Sequence, residues 1–555
     1  MKSCGDYRAG NNVLMPPTRR FVARFLTLNP VADIFAQDST LESVALMRIL
    51  NQEMLITLAL MLMVVLAACG EGAKAAGPAL ALRNCRVANV ENEVKCATLE
   101  VFENRETKQG RKIALNLVVL PATARIKEAD PVFLFAGGPG QAATDLARET
   151  LAILGGLNTK RDLVLIDQRG TGKSNGLTCK FGDPNRPELI DPVQRDQLSR
   201  NLLIDCRDAL AKRADLTQYT TTIAMADIDD ARVALGYAKI NLWGGSYGTR
   251  AAMEYLRRYP DRVRSVVIDG VAPPSLAMPT TFSRDAGAAY DKMLAACAVE
   301  PGCKKRFPQL KAEVDELLAL LDKMPRKISL PDAKTGISRE VAITKDGVLM
   351  AIFSTLYVPE MVALLPELLI RAKQGDFAPL MAMSSVFGNL DEEKIFAGMR
   401  FSVVCAEDLP RLAGPSSAGN KLPEPAPFGG LFVREFSKAC EDWPRGKMAK
   451  DFDQPVQSDK PVLILSGGID PVTPPIFGDE VAKTFSNSRH LVAANVGHGV
   501  STRGCAPRLI KKFIESASVA EIDGSCLQRL PRPMFYEPMR EADKKDPMPK
   551  VEAAQ

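Results

Sequence analysis

Asn241-Leu-Trp-Gly-Gly-Ser-Tyr-Gly-Thr-Arg250 is the stretch on which the reading of the whole chain turns. It contains Gly244-x-Ser246-x-Gly248, the five-residue pattern of a nucleophile elbow. Ahead of it, Ala238 to Trp243 reads as a short buried strand. Behind it, Ala251, Ala252, Tyr255, Leu256 and Tyr259 recur at helical spacing until Pro260 ends the run. A strand that turns sharply into a helix strains the serine's backbone, so its neighbours must be small; Gly244 and Gly248 meet that need. Such a turn lifts the Ser246 hydroxyl clear of the sheet and aims the Tyr247 N–H at a reacting carbonyl. A glycine-rich turn around a serine can be no more than a turn. The strand before it and the helix after it mark this one as an elbow.

Other strands of the same kind lie on both sides. Cys96 to Glu103 and Lys112 to Leu120 read as an opening antiparallel pair. Pro131 to Phe135 leads into Ala136-Gly-Gly-Pro-Gly-Gln141, and Leu163 to Ile166 leads into Asp167-Gln-Arg-Gly-Thr-Gly-Lys-Ser174. Met225 to Leu235 reads as a helix stopped by Gly236, and Arg264 to Ile268 is the next strand. Strands alternating with helices predict an α/β fold with a doubly wound, mostly parallel sheet. From about Ser275 to Lys460 helices dominate: Ala286–Ala298, Leu310–Lys323, Thr344–Tyr357 and Pro359–Lys373. Pro- and Gly-rich loops separate them, the loosest running from Leu412 to Gly430. Strand character resumes at Val462 to Ser466 and Arg489 to Ala494. Helices inserted into a sheet that later resumes are the layout of a cap over a site. The tail from about Leu530, rich in proline and charge, reads as poorly ordered.

Composition narrows the chemistry. Of 555 residues, 71 are basic and 66 acidic, a net charge of +5 with no long basic run, which argues against a nucleic-acid partner. There are two histidines, His490 and His498, so histidine-dependent chemistry must use one of them. Gly170-Thr-Gly-Lys-Ser174 resembles the end of a phosphate-binding loop, but the position that motif reserves for its first glycine is Asp167. The cysteines form no Cys-x-x-Cys, so neither a metal site nor a cofactor is expected.

An apolar run, Met54 to Leu66, is too short to span a bilayer comfortably and ends in Leu66-Ala-Ala-Cys-Gly70. This looks like the lipobox of a bacterial lipoprotein signal peptide, with Arg48 as its positive flank, Met47 as a plausible start and residues 1–46 as an upstream extension. Cys69 would carry the lipid and anchor the chain to a membrane. Gly70 after it resembles the outer-membrane sorting pattern, which predicts the periplasmic side of that membrane or the cell surface. Ten cysteines follow: Cys85, Cys96, Cys179, Cys206, Cys297, Cys303, Cys405, Cys440, Cys505 and Cys526. Their even number fits an oxidising compartment, and their grouping suggests sequence-local pairs: 85–96, 179–206, 297–303, 405–440 and 505–526.

A serine hydroxyl needs a base within hydrogen-bond reach. His498, in Asn495-Val-Gly-His-Gly499, lies on a Gly-flanked loop after a strand and is the better candidate; His490 lies near the start of that strand. Asp470, in Ser466-Gly-Gly-Ile-Asp-Pro-Val-Thr473, follows a strand and completes the order Ser…Asp…His, so it is the candidate to orient the imidazole. For an oxyanion the candidate donors are the N–H groups of Tyr247 and Gly138.

Taken together, AGGPGQ, DQRGTGKS, GGSYGTR, DGVAPP and SGGIDPVTP with VGHG resemble the α/β-hydrolase serine peptidases of the prolyl and tripeptidyl aminopeptidase group. The likeness spans roughly residues 85–526, and its last part is similar to the C-terminal domain of tripeptidyl aminopeptidases. One departure is Ala136, where the prolyl branch usually has histidine. The resemblance implies an α/β-hydrolase core in two parts, 69–274 and 461–529, a helical cap at 275–460 and a tail at 530–555, behind an extension and signal peptide at 1–68. It implies peptide substrates and release of a residue or short peptide from free N-termini. Glu407 and Asp408 are then candidates to bind the substrate ammonium at the cleft mouth. A carboxylesterase using the same triad is the competing reading, and oligomeric state is left open.

Overall fold

The computed structural model describes residues 80–181, 191–331, 336–383, 395–412 and 427–538. The expected signal peptide, Cys69, the middle of the Pro- and Gly-rich loop and the tail beyond 538 lie outside the described residues. The chain divides into two units, Met1–Gly77 and Pro78–Gln555, and every described residue belongs to the second.

The core of that unit is a nine-stranded sheet in the order β1-β2-β3-β5-β4-β6-β7-β10-β11. The strands are β1 (Arg83–Cys85), β2 (Val94–Phe102), β3 (Lys112–Leu120), β4 (Val132–Phe135), β5 (Leu163–Ile166), β6 (Ile240–Gly245), β7 (Val263–Asp269), β10 (Val462–Gly467) and β11 (Ser488–Ala493). β1, β2 and β3 pair antiparallel, as does β3 with β5; from β5 to β11 all pairings are parallel. β4 and β5 are buried at every residue because helices cover both faces, which is why each reads as an unbroken apolar run. The core helices are α1 (Ala147–Asn158), α2 (Pro192–Ala211), α3 (Thr221–Ala234) and α4 (Tyr247–Arg258).

Between β7 and β10 the chain builds α5 (Phe282–Val299), α6 (Pro301–Arg306), α7 (Leu310–Lys323), the antiparallel hairpin β8 (Arg326–Pro331) and β9 (Ser338–Ile343), α8 (Lys345–Leu356), α9 (Pro359–Val362), α10 (Leu365–Lys373), α11 (Ala397–Glu407) and α12 (Leu431–Glu441). After β10 come α13 (Pro475–Ala482), α14 (Ala506–Ser516) and α15 (Ser525–Gln528). Two expectations for the insertion are corrected. It is not wholly helical, since Arg326–Pro331 alternates half-buried and exposed residues along a strand. Nor does all of 275–460 form the cap. Met399, Val403 and Cys405 of α11, with Cys440 and Trp443, pack into the core cluster around Leu177 and Leu210, while the cap's own core runs from Ala286 to Leu380 with Phe428, Leu431 and Phe432.

The tail is also corrected over 530–538. Phe535 is buried, its N–H donates to Glu300, and the Tyr536 N–H donates to the Ala363 carbonyl, so this segment is strapped onto the cap. Its prolines suit an extended strap whose backbone finds partners on a neighbour. All five sequence-local disulfides are formed, with Cα–Cα separations between 5.1 and 6.4 Å. No helix among the described residues is long and apolar enough to cross a membrane.

The centre of the sheet leaves no room at the elbow glycines. A Cβ on Gly248 would lie 2.0 Å from the Phe135 carbonyl oxygen of β4, and one on Gly244 would lie 2.3 Å from the Gly248 carbonyl oxygen. Both obstacles are backbone and cannot swing aside. Gly248→Ala should therefore cost about 3 kcal/mol or more in urea unfolding; an unchanged midpoint would mean the helix is not seated this closely on β4.

Candidate active site

β6 delivers Ser246 at φ 56° and ψ −125°, immediately before α4. A non-glycine residue held there stores about 1–3 kcal/mol. Its neighbours hold it on both sides. The Ser246 N–H donates to the Asp269 carbonyl at 2.9 Å, and the Ser246 carbonyl accepts from the Thr249 N–H (2.9 Å) and hydroxyl (2.6 Å). The Thr249 hydroxyl in turn accepts from the Ala272 N–H at 2.8 Å, tying the elbow to the chain leaving β7. Tyr247 opens α4, so its N–H belongs to the first turn, where no intrahelical acceptor exists.

Gly137 and Gly138 follow β4. A Cβ on Gly137 would lie 3.3 Å from the Ser246 Cβ, so this loop borders the serine directly. Gly138 has φ 110° and precedes a cis peptide bond to Pro139. The next loop is not a phosphate cradle. The Asp167 carboxylate accepts from the N–H groups of Thr144 (2.9 Å) and Lys173 (3.1 Å), and a Cβ on Gly172 would fall 2.2 Å from it.

His498 and Asp470 stand on the loops after β11 and β10. His498 Nδ1 lies 2.8 Å from Asp470 Oδ2, with the histidine side chain 17% exposed and the aspartate fully buried. Asp470 also accepts from the N–H groups of Val472 (2.9 Å) and Thr473 (2.8 Å) and from the Thr473 hydroxyl at 2.7 Å. Burial works against charge on Asp470, but His498 and these donors outweigh it and hold its pKa below the usual carboxylate range. For His498 burial pulls the pKa down, while Asp470 and then Asp269 outweigh that and raise it above 6.5. Nδ1 is thus committed to the carboxylate, leaving Nε2 for a substrate-side proton.

Two residues here carried no expectation. Asp269, at the end of β7, is buried; its carboxylate accepts from the N–H groups of Val500 (2.9 Å) and Ser501 (2.7 Å), while its carbonyl holds Ser246. It links the serine's backbone to the histidine's loop. An aspartate before glycine at a strand end reads as a turn, which hides such a role. Thr473 bridges Asp470 and His498, its hydroxyl 3.1 Å from Nδ1. Gly270 makes space for the pair: a Cβ there would lie 3.0 Å from the Thr473 hydroxyl and 3.2 Å from the imidazole Cε1. The other histidine, His490, is held between Ser466 and Asp479 at 2.9 Å each.

Glu407 and Asp408 are corrected. They close α11 but are buried rather than at a cleft mouth. Asp408 pairs with Arg250 of α4 and with Arg411, each at 2.9 Å, and accepts from the Met278 N–H; the two guanidinium groups also hold the Leu276 carbonyl. The pair therefore ties the elbow helix to the chain entering the cap. The Thr221 N–H and hydroxyl reach the Glu407 carboxyl at 2.5 and 2.8 Å, and the same hydroxyl is 2.6 Å from the Tyr247 phenol. Burial pushes the Glu407 pKa up to about 8. Adjacent acids after a cysteine give no sign of burial until their arginine partners are placed.

An α/β sheet that presents a serine on an elbow, together with a hydrogen-bonded histidine–aspartate pair on the loops after its last two strands, defines a serine hydrolase. Residues 130–305 match the family described as alpha/beta hydrolase fold, and residues 424–526 match the family described as TAP-like protein. The chain has the α/β-hydrolase fold, and the curated proteins it is similar to include serine peptidases. Over 457 residues it is 26% identical to Serine protease Hip1 of Mycobacterium tuberculosis, covering 74% of this chain and 84% of that protein. It is 30% identical over 200 residues to Tripeptidyl aminopeptidase of Streptomyces coelicolor (34% and 37% covered). It is 28% identical over 141 residues to Proline iminopeptidase of Xylella fastidiosa (25% and 32% covered).

Removing the Asp408 carboxylate strands two buried guanidinium groups, so Asp408→Ala should lose about 3–5 kcal/mol in denaturant unfolding. A raised KM with unchanged stability would restore the ammonium-binding role. Glu407 has the opposite signature. Its folded pKa lies above its unfolded value, so its contribution is complete at low pH and is lost as pH rises through about 8. Glu407→Gln should therefore gain stability relative to the parent as pH is raised from 5 to 9, read from paired melting curves.

Proposed function

We propose that this protein is an exported serine aminopeptidase that releases a residue or short peptide from free peptide N-termini. The similarity through 84% of the length of Serine protease Hip1 carries the reading, joined to the paired imidazole and carboxylate beside Ser246. The similarities to a tripeptidyl aminopeptidase and a proline iminopeptidase favour cleavage at the amino end.

In this reading the Ser246 oxygen attacks the scissile carbonyl while His498 Nε2 takes its proton, and Asp470 stabilises the imidazolium through Nδ1. The N–H groups of Tyr247 and Gly138 receive the oxyanion. Collapse breaks the C–N bond, with the imidazolium returning the proton to the leaving amine. Water, deprotonated by the same imidazole, then releases the acyl group and restores the serine. Five disulfides favour an oxidising compartment. The Leu66-Ala-Ala-Cys69 sequence supports lipidation of Cys69 and attachment to the periplasmic side of the outer membrane or the cell surface. Replacement of Cys69 by serine should move the protein from the membrane fraction to the soluble fraction; retention in the membrane would defeat the anchor.

The deciding experiment is a panel of peptidyl anilides with free or acetylated amines. The proposal expects turnover of the free forms, loss on acetylation, and a kcat fall of about 10⁴-fold or more in Ser246→Ala. Equal turnover of acetylated forms and short acyl esters would favour the esterase reading. The base must be neutral, so kcat/KM should rise with pH through a pKa above 6.5, and Asp470→Asn should move that limb downward while lowering the rate.

A further inference from the structure

The loop that carries His498 is held from two sides. The core holds one side through the Asp470 carboxylate on Nδ1, Asp269 on the Val500 and Ser501 N–H groups, and the Trp243 indole N–H, which donates to the Ser501 hydroxyl at 3.2 Å. The cap holds the other at the corner between α8 and α9. There the Tyr357 carbonyl accepts the His498 N–H at 3.0 Å, and the Tyr357 ring meets the imidazole nearly edge-on, with centroids 5.1 Å apart. The fit at this corner is tight. A Cβ on Gly497 would lie 2.4 Å from the Tyr357 carbonyl oxygen and 3.3 Å from that of Leu356. Arg503, five residues after the histidine, pairs with Glu360 of α9 at 2.6 Å.

The C-terminal strap repeats the connection. Asn495, three residues before the histidine, donates to the Leu530 carbonyl at 2.9 Å, and a Cβ on Gly504 would meet the Leu530 side chain. From Leu530 the strap runs into the cap, where Arg532 pairs with Glu300, Phe535 is buried, and the Tyr536 N–H donates to Ala363, the residue after α9. Both routes thus join the same loop to the same corner of the cap. Arg250, Asp408 and Arg411 anchor the far end, where the chain enters the cap. The Asp470 loop meets the cap too, through Val472 in the cap's core cluster and Lys292, which donates to the Gly468 carbonyl at 2.6 Å, so a cap shifted at the α8–α9 corner would pull most directly on the His498 backbone that is hydrogen-bonded there.

We propose that Tyr357 is a positioning residue for His498, so that the imidazole is aligned between Asp470 and Ser246 only when the cap is seated on the His498 loop. The ring's edge fixes the imidazole plane, and the carbonyl fixes the height of its backbone. The proposal deepens the hydrolase reading above and rests on His498 being the base.

The test compares kcat and KM of the full-length enzyme on a free-amine peptidyl anilide and on a short acetyl ester too small to span the cap. A substrate-contact role for Tyr357 would change KM on the peptide alone. A positioning role lowers kcat on both. Tyr357→Ala should lower kcat on both substrates by about 10–100-fold, with KM within about twofold. Gly497→Ala, which forces the two backbones apart and leaves the Tyr357 side chain intact, should reproduce the kcat loss on both substrates. Normal kcat on the ester in both Tyr357→Ala and Gly497→Ala would overturn the proposal. His498→Ala separates the two levels: if it abolishes both activities while those variants behave normally, only the coupling falls. If it keeps activity, the base assignment falls as well.

Discussion

A serine held in a left-handed backbone conformation, with bare glycine carbons pressed against carbonyl oxygens on either side, is the constraint on which the rest of this structure depends. Ser246 stands at φ 56° because β6 must end and α4 begin within one residue. That is possible only where Gly248 meets the Phe135 carbonyl and Gly244 meets Gly248 with no Cβ between them. The strain is offset by hydrogen bonds on both sides of the residue: its N–H donates to the Asp269 carbonyl, and its carbonyl accepts from Thr249. Since the Asp269 carboxylate also holds Val500 and Ser501, the interaction that stabilises the elbow also brings the histidine loop to it. Ser246 and the His498 loop share one anchor at the end of β7.

Around that anchor the buried acids divide by what they face. Asp470 meets an imidazole, a hydroxyl and two N–H groups, and it stays charged despite full burial. Asp408 meets two guanidinium groups and fastens the cap's entry to α4. Glu407, one residue earlier, has a threonine instead of a cation, and burial dominates. Three carboxyl groups of nearly identical intrinsic acidity thus take three roles, set by the donors within 3 Å of each.

Much of this could be read from the chain. The elbow was legible because its requirement is local: strand, glycine, serine, glycine, helix. The parallel strands showed as unbroken apolar runs at Val132–Phe135 and Leu163–Ile166, and two histidines reduced the search for a base to a choice between two loops. What could not be read were roles that depend on partners far away in the chain. Glu407 and Asp408 look like a solvated pair until Thr221, Arg250 and Arg411 are brought to them across more than 150 residues of chain in two of the three cases. Asp269 looks like a turn residue and Tyr357 like the end of a cap helix. The return of α11 to the core was hidden for the same reason, since its apolar stripe does not say which cluster it joins. The proline-rich segment at 530–538 has a disordered-looking composition but finds its backbone partners on the cap.

The account stands on Ser246 being made nucleophilic by His498, and reaction with a fluorophosphonate probe measures this most directly. Peptide mapping of the labelled protein by mass spectrometry, with labelling rates for the parent and for His498→Ala, gives both the site and its activation. The account predicts one adduct per chain, on Ser246, and a rate at least about 100-fold slower in His498→Ala. An adduct on another residue, or equal rates in the two proteins, would contradict it.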